Sequence, residues 1–358
     1  MTASPKDVLI LGASYGSLLA TKLLMAGHRV CLVCTAPTAE LINRDGTVVK
    51  FPIRGREGLV SIASADLPGE LRAAAPDAVP DPGAFDLAVL GMQESQYGEE
   101  GVRQLMERIG ASRVPCLAIM NMPPLTYLRR IPGLRADGLA GCYTDPSVWA
   151  SFDPQHLSLA SPDPQAFRPP DEPKTVLQVG LPTNFKAARF EGDGPTALLR
   201  ELEADIDAAR FAVAGEPLEI PVKLRVHESA FVPLAKWPML LTGNYRCVTA
   251  DGAVPIEQAV HGDLELSRAI YGWVSDVCIR LGAAPGDLVP FEKYAAAAAS
   301  LKKPSSAARS LFSGARSIER VDKLVDAIAG QLGLSNEHVR ETVRLVDARL
   351  AANRAEAA

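Results

Sequence analysis

Positive charge is not in surplus in this sequence. Its 37 Lys and Arg face 42 Asp and Glu, for a net charge of −5. A chain so balanced has nothing in bulk to neutralise a phosphate backbone, so nucleic acid is not an expected partner. Long hydrophobic runs are missing too. The longest falls far short of the roughly 20 residues that span a bilayer, and no membrane partner is expected. The first apolar stretch, Val8–Leu11, is short, follows Asp7 and runs into glycines. It lacks the form of a signal peptide, and the expected location is the cytoplasm. Cysteine is sparse: six thiols in 358 residues do not make a disulfide scaffold. Cys31 and Cys34 have C-x-x-C spacing, but they stand inside the apolar run Val30–Cys34 and no second Cys/His pair matches them. Reduced thiols, and no metal, are expected.

What is present is globular: 47% hydrophobic and 22% charged residues, in a length suited to two domains. The first half alternates. Apolar runs at 7–11, 29–34, 85–90 and 115–120 predict buried strands, and 17–26, 99–109 and 196–209 predict helices. Shorter strands are expected at 47–51, 60–62 and 175–179, with a helical turn at 40–44. The Pro-, Ala- and Asp-rich 64–84 reads as surface, and 151–172, with its proline pairs, as a loop. Strand–helix alternation is the pattern of a parallel sheet with right-handed crossovers. From about Glu216 strand patterns vanish, and long helical patterns occupy 233–248, 255–282, 289–300, 304–332 and 335–352. The expected domains are 1–215, an α/β dinucleotide-binding domain, and 216–358, an all-α domain for substrate and dimer contacts.

The first strand leads through Gly12-Ala13-Ser14-Tyr15-Gly16-Ser17 straight into a helix. Free backbone N–H groups and the positive end of a helix dipole there face one point, which suits a pyrophosphate. The spacing departs from G-x-G-x-x-G, with Ser14 where a second glycine is expected. Gly12, Ser14, Tyr15, Gly16 and Ser17 are the candidate phosphate-binding residues, and Tyr15 either closes over the nucleotide or packs as a core tyrosine. An NAD site usually places an acid at the end of the second strand. Here Val33-Cys34-Thr35-Ala36 carries none before Glu40. Thr35, Thr38 and Arg44 could hold a 2′-phosphate instead, so NADP(H) is favoured, with NAD(H) as the alternative.

Taken together these residues resemble the ketopantoate reductase family. Leu9–Val33, with Gly-Ser-Leu-Leu-Ala at 16–20 and Ala-Gly-His at 26–28, is similar to the family's opening. Asp86-Leu-Ala-Val-Leu resembles its fourth strand, and Asn121 stands where the family has an active-site Asn. Gly180-Leu181 and Ala209–Val213 resemble the segment before the crossover. Lys236-Trp237-Pro238-Met239-Leu240 resembles its Trp-x-Lys-Leu region, and Pro304-Ser305-Ser306 with Ser317-Ile318-Glu319 its last helices. The resemblance implies an N-terminal Rossmann-type domain, a helical domain like that of 6-phosphogluconate dehydrogenases, NADPH-dependent reduction and a homodimer through the helical domain. Met239 stands where the family's catalytic Lys is expected, Gln93 where its cofactor-binding Lys is expected, and Met122 follows Asn121 in place of Gly.

Hydride transfer to a carbonyl needs a proton donor and a polar anchor beside the nicotinamide. The candidates are Lys236 as donor, three residues before Met239, with Asn121 and Glu319 as the other catalytic residues. Gln93 is a candidate cofactor ligand, and Asn244, Ser305 and Ser306 are candidate substrate ligands. Ser305 or Ser306 could instead be a helix N-cap. His227, beside Glu228, could replace the absent Lys as acid, with Lys223 and Arg225 holding a substrate carboxylate. The expected activity is NAD(P)H-dependent reduction of a small 2-oxo acid or related carbonyl. One alternative is an opine-type dehydrogenase reducing an imine, for which His227 or His261 would have to serve. Another is a cofactor-binding protein without catalysis.

Overall fold

The computed structural model describes residues 4–356 and divides into two compact units. The first comprises residues up to Met92, Gln96–Met120 and Ser147–Glu228; the second comprises Gln93–Ser95, Asn121–Pro146 and the chain from Ser229 onward. The main run of the second unit therefore starts at Ser229, beyond the expected boundary at 215/216.

The strands are all in the first unit. They are β1 (Asp7–Leu11), β2 (Arg29–Val33), β3 (Val48–Pro52), β4 (Leu59–Ala63), β5 (Glu70–Ala74), β6 (Leu87–Leu90), β7 (Cys116–Ile119), β8 (Leu157–Ser161), β9 (Gln165–Phe167), β10 (Val176–Leu181), β11 (Phe185–Ala188), β12 (Phe211–Val213), β13 (Glu216–Leu218) and β14 (Leu224–His227). Its helices are α1 (Gly16–Met25), α2 (Ala36–Asp45), α3 (Glu100–Ser112) and α5 (Asp193–Ala208). The main sheet runs β14-β11-β8-β7-β6-β1-β2-β5, parallel from β5 through β8. Strand order reverses between β1 and β6, and ligands of open α/β sheets bind at such a reversal. The central strands are apolar on both faces because both faces are covered: Val8 to Leu11 and Leu87 to Leu90 are all buried. A smaller sheet, β4-β3-β10-β9, flanks this one in the chain, and β12 pairs with β13 as a hairpin.

Three expectations are corrected. Residues 151–172 are not a loop, because β8 is fully buried and pairs with β7 and β11. Its five residues lie between Pro154 and Pro162, so local composition reads as a turn while tertiary burial makes a strand. The 64–84 stretch contains β5, a half-polar edge strand paired to β2. Strands also continue past 216, since His227 ends β14 on the sheet edge rather than lying in a charged insertion.

α1 is buried along its whole length, Lys22 included. Lys22 Nζ donates to the carbonyls of Ile220 at 2.7 Å and Pro221 at 3.2 Å. Burial pushes its ammonium down to about 7. It thereby holds the turn at Val222, a β-branched residue at φ 69°.

The second unit holds α4 (Leu125–Leu128), α6 (Trp237–Met239), α7 (Ile256–His261), α8 (Leu264–Leu281), α9 (Phe291–Ala298), α10 (Ser306–Phe312), α11 (Val321–Gln331) and α12 (Glu337–Ala355). The helix expected over 255–282 breaks at Asp263, whose carboxylate caps the Leu266 N–H at 2.9 Å. The one expected over 304–332 breaks after Phe312, and Gly314 at φ 87° turns the chain. The 233–248 pattern forms a 3-10 turn, one α turn and then a π turn at Leu240–Asn244. α12 is bound to the rest of the unit by polar contacts as well as by Val346 and Leu350. Asn353 Nδ2 donates to the carbonyls of Leu311 and Ala315, each at 2.8 Å. Asp347 pairs with Arg320. Among the described residues no helix is long and apolar enough to cross a membrane.

Candidate functional site

The glycine turn belongs to the first unit. β1 ends at Leu11, Gly12 turns at φ 100°, and α1 begins at Gly16. Gly12 N–H donates to Val33 O at 2.9 Å and Gly91 N–H to Leu11 O at 2.9 Å, so the turn is fixed to the ends of both neighbouring strands. A Cβ on Gly12 would lie 2.7 Å from Met92 Cγ and 2.9 Å from Gly91 O. That is why only glycine fits there. The backbone N–H groups of Ala13, Ser14 and Tyr15 donate to no acceptor among the described residues, and the first turn of α1 carries no acid. These are the features an anion needs, and the residues present fit a dinucleotide diphosphate. Ser17 is turned inward, its hydroxyl donating to Ala13 O. Tyr15 donates to Pro164 O at 2.7 Å and sets its ring edge-on to Phe185, with centroids 5.9 Å apart. Thr35 is the extended residue before α2, its hydroxyl 3.0 Å from that of Thr38. Arg44 lies in the last turn of α2 and forks onto Asp45 at 2.8 Å.

The second unit gathers another cluster. Asn121 follows β7 by two residues, and its Nδ2 donates to the Glu319 carboxylate at 3.4 Å. Asn121 Oδ1 is buried and has no hydrogen-bond partner among the described residues. The indole of Trp237, fully buried, donates to Asn121 O at 3.4 Å and fixes that backbone. Glu319 stands in the loop between α10 and α11. Its carbonyl accepts from the Tyr245 hydroxyl, which in turn accepts the Val321 N–H at 3.1 Å. Next to it Arg320, buried, forks onto Asp322 at 3.0 and 2.9 Å, and its N–H points at Met122 Sδ at 3.4 Å. The loop is held from both sides.

Burial pushes the Glu319 carboxyl up to about 7. Hydrogen bonds from Asn121 and from the Glu94 backbone N–H oppose the rise, as does the charge of Lys236, while the Glu94 carboxylate adds to it. A group titrating near neutrality can give or take a proton at working pH. The chain thus brings Asn121, Glu319 and Lys236 together within one unit. Lys236 is half-buried at the end of the 3-10 turn, just before α6.

Glu94 was not singled out by the sequence. It is 3% exposed, and its carboxylate accepts from the Thr144 N–H at 3.0 Å and hydroxyl at 2.9 Å. Burial raises it as well. A lone Glu after an apolar strand carries no spacing signal; only the fold sets it beside Glu319. Gln93 precedes it in the same unit. Asn244, half-buried, ends the π turn. π turns recur at functional sites. Ser305 caps α10: its hydroxyl accepts the Ala308 N–H at 3.1 Å and donates to Asn244 O at 2.7 Å, so its proton is taken up inside the chain. Ser306 is exposed in the first turn of α10. Lys223, nearly buried, pairs with Asp207 and Glu219 at 3.2 Å each, and Arg225 with Asp207 at 3.0 Å. Both cations are therefore occupied within the first unit. His261 contacts the Ala295 carbonyl at 2.9 Å.

No protein-family profile matches the chain, and no curated protein matches its sequence. Solved structures do match its fold. 2-Dehydropantoate 2-reductase from Methylococcus capsulatus superposes with a TM-score of 0.64 at 14% identity, covering 96% of this chain and 97% of that one. A PanE/ApbA family ketopantoate reductase from Ralstonia eutropha JMP134 gives 0.60 at 15%, over 97% and 99%. D-Mandelate dehydrogenase, solved with NADH, gives 0.59 at 12%, over 97% and 99%. A Rossmann-type parallel sheet with a helical C-terminal region, over nearly the whole length, gives this chain the fold of the ketopantoate reductases.

Proposed function

We propose that the protein is an NAD(P)H-dependent oxidoreductase that reduces the carbonyl of a small 2-oxo acid or a related compound. The observation that carries this reading is the glycine turn, placed where strand order reverses and presenting three unused backbone N–H groups. A bound nicotinamide would supply the hydride; Gly12 to Gly16 would hold its diphosphate. Glu319, titrating near neutrality, supplies the proton to the developing alkoxide, with the Lys236 ammonium stabilising the negative charge. Asn121 orients Glu319 and keeps Oδ1 for a hydroxyl or N–H on the substrate. We propose further that two copies associate through the helical unit, whose α8 exposes Leu264 and Ile279 at 37% and 41%.

The test is NADPH and NADH oxidation with a panel of 2-oxo acids, with and without amines, alongside calorimetric binding of both nucleotides. Turnover with a 2-oxo acid alone supports the reading. Turnover only with an added amine replaces it by imine reduction, and tight nucleotide binding without turnover replaces it by a binding protein. A protein that binds neither nucleotide at millimolar concentration removes it.

A further inference from the structure

α1 starts at the glycine turn and carries a buried amine six residues after Gly16, at Lys22. Lys22 is 1% exposed. Its Nζ donates to two carbonyls, Ile220 O at 2.7 Å and Pro221 O at 3.2 Å. Among the described residues it has no third acceptor; the Phe51 ring of β3 stands 6.0 Å from it, measured to the centroid. An ammonium has three N–H donors and a neutral amine has two. The two carbonyls therefore satisfy the neutral amine completely and leave one N–H of the charged form without an acceptor.

The charges around Lys22 do little to hold a proton on it. The carboxylates that act on it are Glu219 and Asp207, and Lys223 pairs with each of them at 3.2 Å. Asp207 also takes Arg225 at 3.0 Å, and Glu219 faces Arg210 at 3.9 Å. Lys223 and Arg210 in turn oppose the charged form of Lys22. α5 brings Asp205 and Glu201 as well, but these meet His28 at 3.4 Å and Lys6 at 3.0 Å. β1 and β2 turn the apolar Ile10 and Leu32 to the start of α1. With so little to offset it, burial pushes the ammonium down to about 7, and both forms are present near neutrality.

We infer that Lys22 couples nucleotide binding to proton uptake: a diphosphate at the glycine turn draws a proton onto the buried amine, and the charged amine tightens the hold on the diphosphate. Six residues of helix place Lys22 about 9 Å along the axis from Gly16, at about 1.5 Å per residue. A negative charge at that range, through protein, favours the ammonium about tenfold. By linkage the nucleotide gains the same factor, so binding weakens about tenfold from pH 6 to pH 9 and takes up about half a proton near pH 7.5. The exchange needs no rearrangement, because the two carbonyls accept from either form. This inference rests on the nucleotide reading above and gives that site its regulation by pH.

The experiment is calorimetric titration of the full chain with NADH and with NADPH across this pH range, in buffers of low and high ionisation enthalpy. The difference in heat between buffers counts the protons taken up. The wild type takes up about half a proton near pH 7.5 on binding NADH, whose diphosphate stays ionised throughout. Lys22→Met binds about tenfold more weakly than the wild type at pH 6, matches it at pH 9, and takes up no proton. Lys22→Arg keeps its charge at every pH and also binds without uptake, whereas Glu319→Gln retains the uptake. Lysine Cε resonances of the wild type give the answer without a substitution: one titrates near pH 7 and moves to higher pH when NADH is added. Equal heats in the two buffers, an uptake that persists in Lys22→Arg, or no lysine that titrates near neutrality overturns the role of Lys22 while leaving an oxidoreductase in place. A chain that binds neither nucleotide overturns the oxidoreductase reading, and this inference with it.

Discussion

Asn121 gives its amide N–H to Glu319 at 3.4 Å and keeps its amide oxygen buried without a donor. One half of the side chain is committed to the protein and the other half is open. A buried acceptor left alone costs about 1–3 kcal/mol, so it is kept where something else fills it.

Replacing Asn121 with Ala removes both halves. Its hydrogen bond lowers the Glu319 carboxyl, so its loss moves the titration of Glu319 further above about 7. The expected outcome is a kcat/KM for carbonyl reduction reduced about 10- to 1,000-fold, the range for one positioned proton-transfer or charge-stabilising partner. The pH–rate limb assigned to Glu319 shifts to higher pH. A rate loss without a shifted limb would show that Asn121 holds substrate without acting on Glu319.

Glu319 also leaves a mark on stability. Its carboxyl titrates at 4.5 ordinarily and at about 7 in the fold. Between those values the folded chain keeps a proton that the unfolded chain has released, so stability falls as pH rises through this window. The contribution is complete below the lower value and gone above the higher one. Glu319→Gln lacks the effect, so from pH 4.5 to pH 8 its stability relative to the wild type rises by about 3 kcal/mol. Urea midpoints across that range measure it, and a constant gap would show that Glu319 does not hold the proton.

Gly12→Ala tests the glycine turn. The new Cβ meets Gly91 O and Met92 Cγ, and the backbone at φ 100° is strained for any side chain. The expected cost is about 1–3 kcal/mol in thermal unfolding, with nucleotide affinity lost as the turn opens. A Gly12→Ala protein that melts and binds as the wild type does would remove the turn from the site.

Asp322→Ala leaves the Arg320 guanidinium buried with only Asp347, itself half exposed, as its remaining carboxylate. Breaking a buried pair by removing one partner costs about 3–5 kcal/mol. The loop carrying Glu319 loosens at the same time, so any residual folded protein shows a lower kcat with less change in nucleotide affinity. Lowered nucleotide affinity with normal kcat would contradict that placement.

Much of the first unit is legible along the chain. Val8–Leu11, Val30–Val33 and Leu87–Leu90 are apolar runs buried on both faces, and a run of that kind announces a central parallel strand wherever it occurs. β8 is chemically similar but lies between Pro154 and Pro162, and the prolines carry the stronger local signal. β5 and β14 are edge strands, whose half-polar residues look like surface until a neighbour pairs with them. In the helical unit the period of apolar residues gives helix content but not the breaks. Those at Asp263 and Gly314 come from a cap and a left-handed turn only a few residues long.

The candidate residues divide in the same way. Gly12 and Gly16 are readable because one local turn places them. Asn121 and Glu319 came from resemblance, and nothing between them in the chain says that they meet. Glu94 gave no sign, and Ser305 proves to be a cap.

By itself the sequence determined the alternation of strand and helix, the glycine turn, the absence of an acid after β2 and the helical character of the second half. Periodicity and turn chemistry act over a few residues, and a linear string records them. The tertiary structure alone decided that Glu94 and Asn121 close around Glu319 and that Arg320 anchors its loop to α12. Burial and charge act through space, between residues that the chain holds far apart.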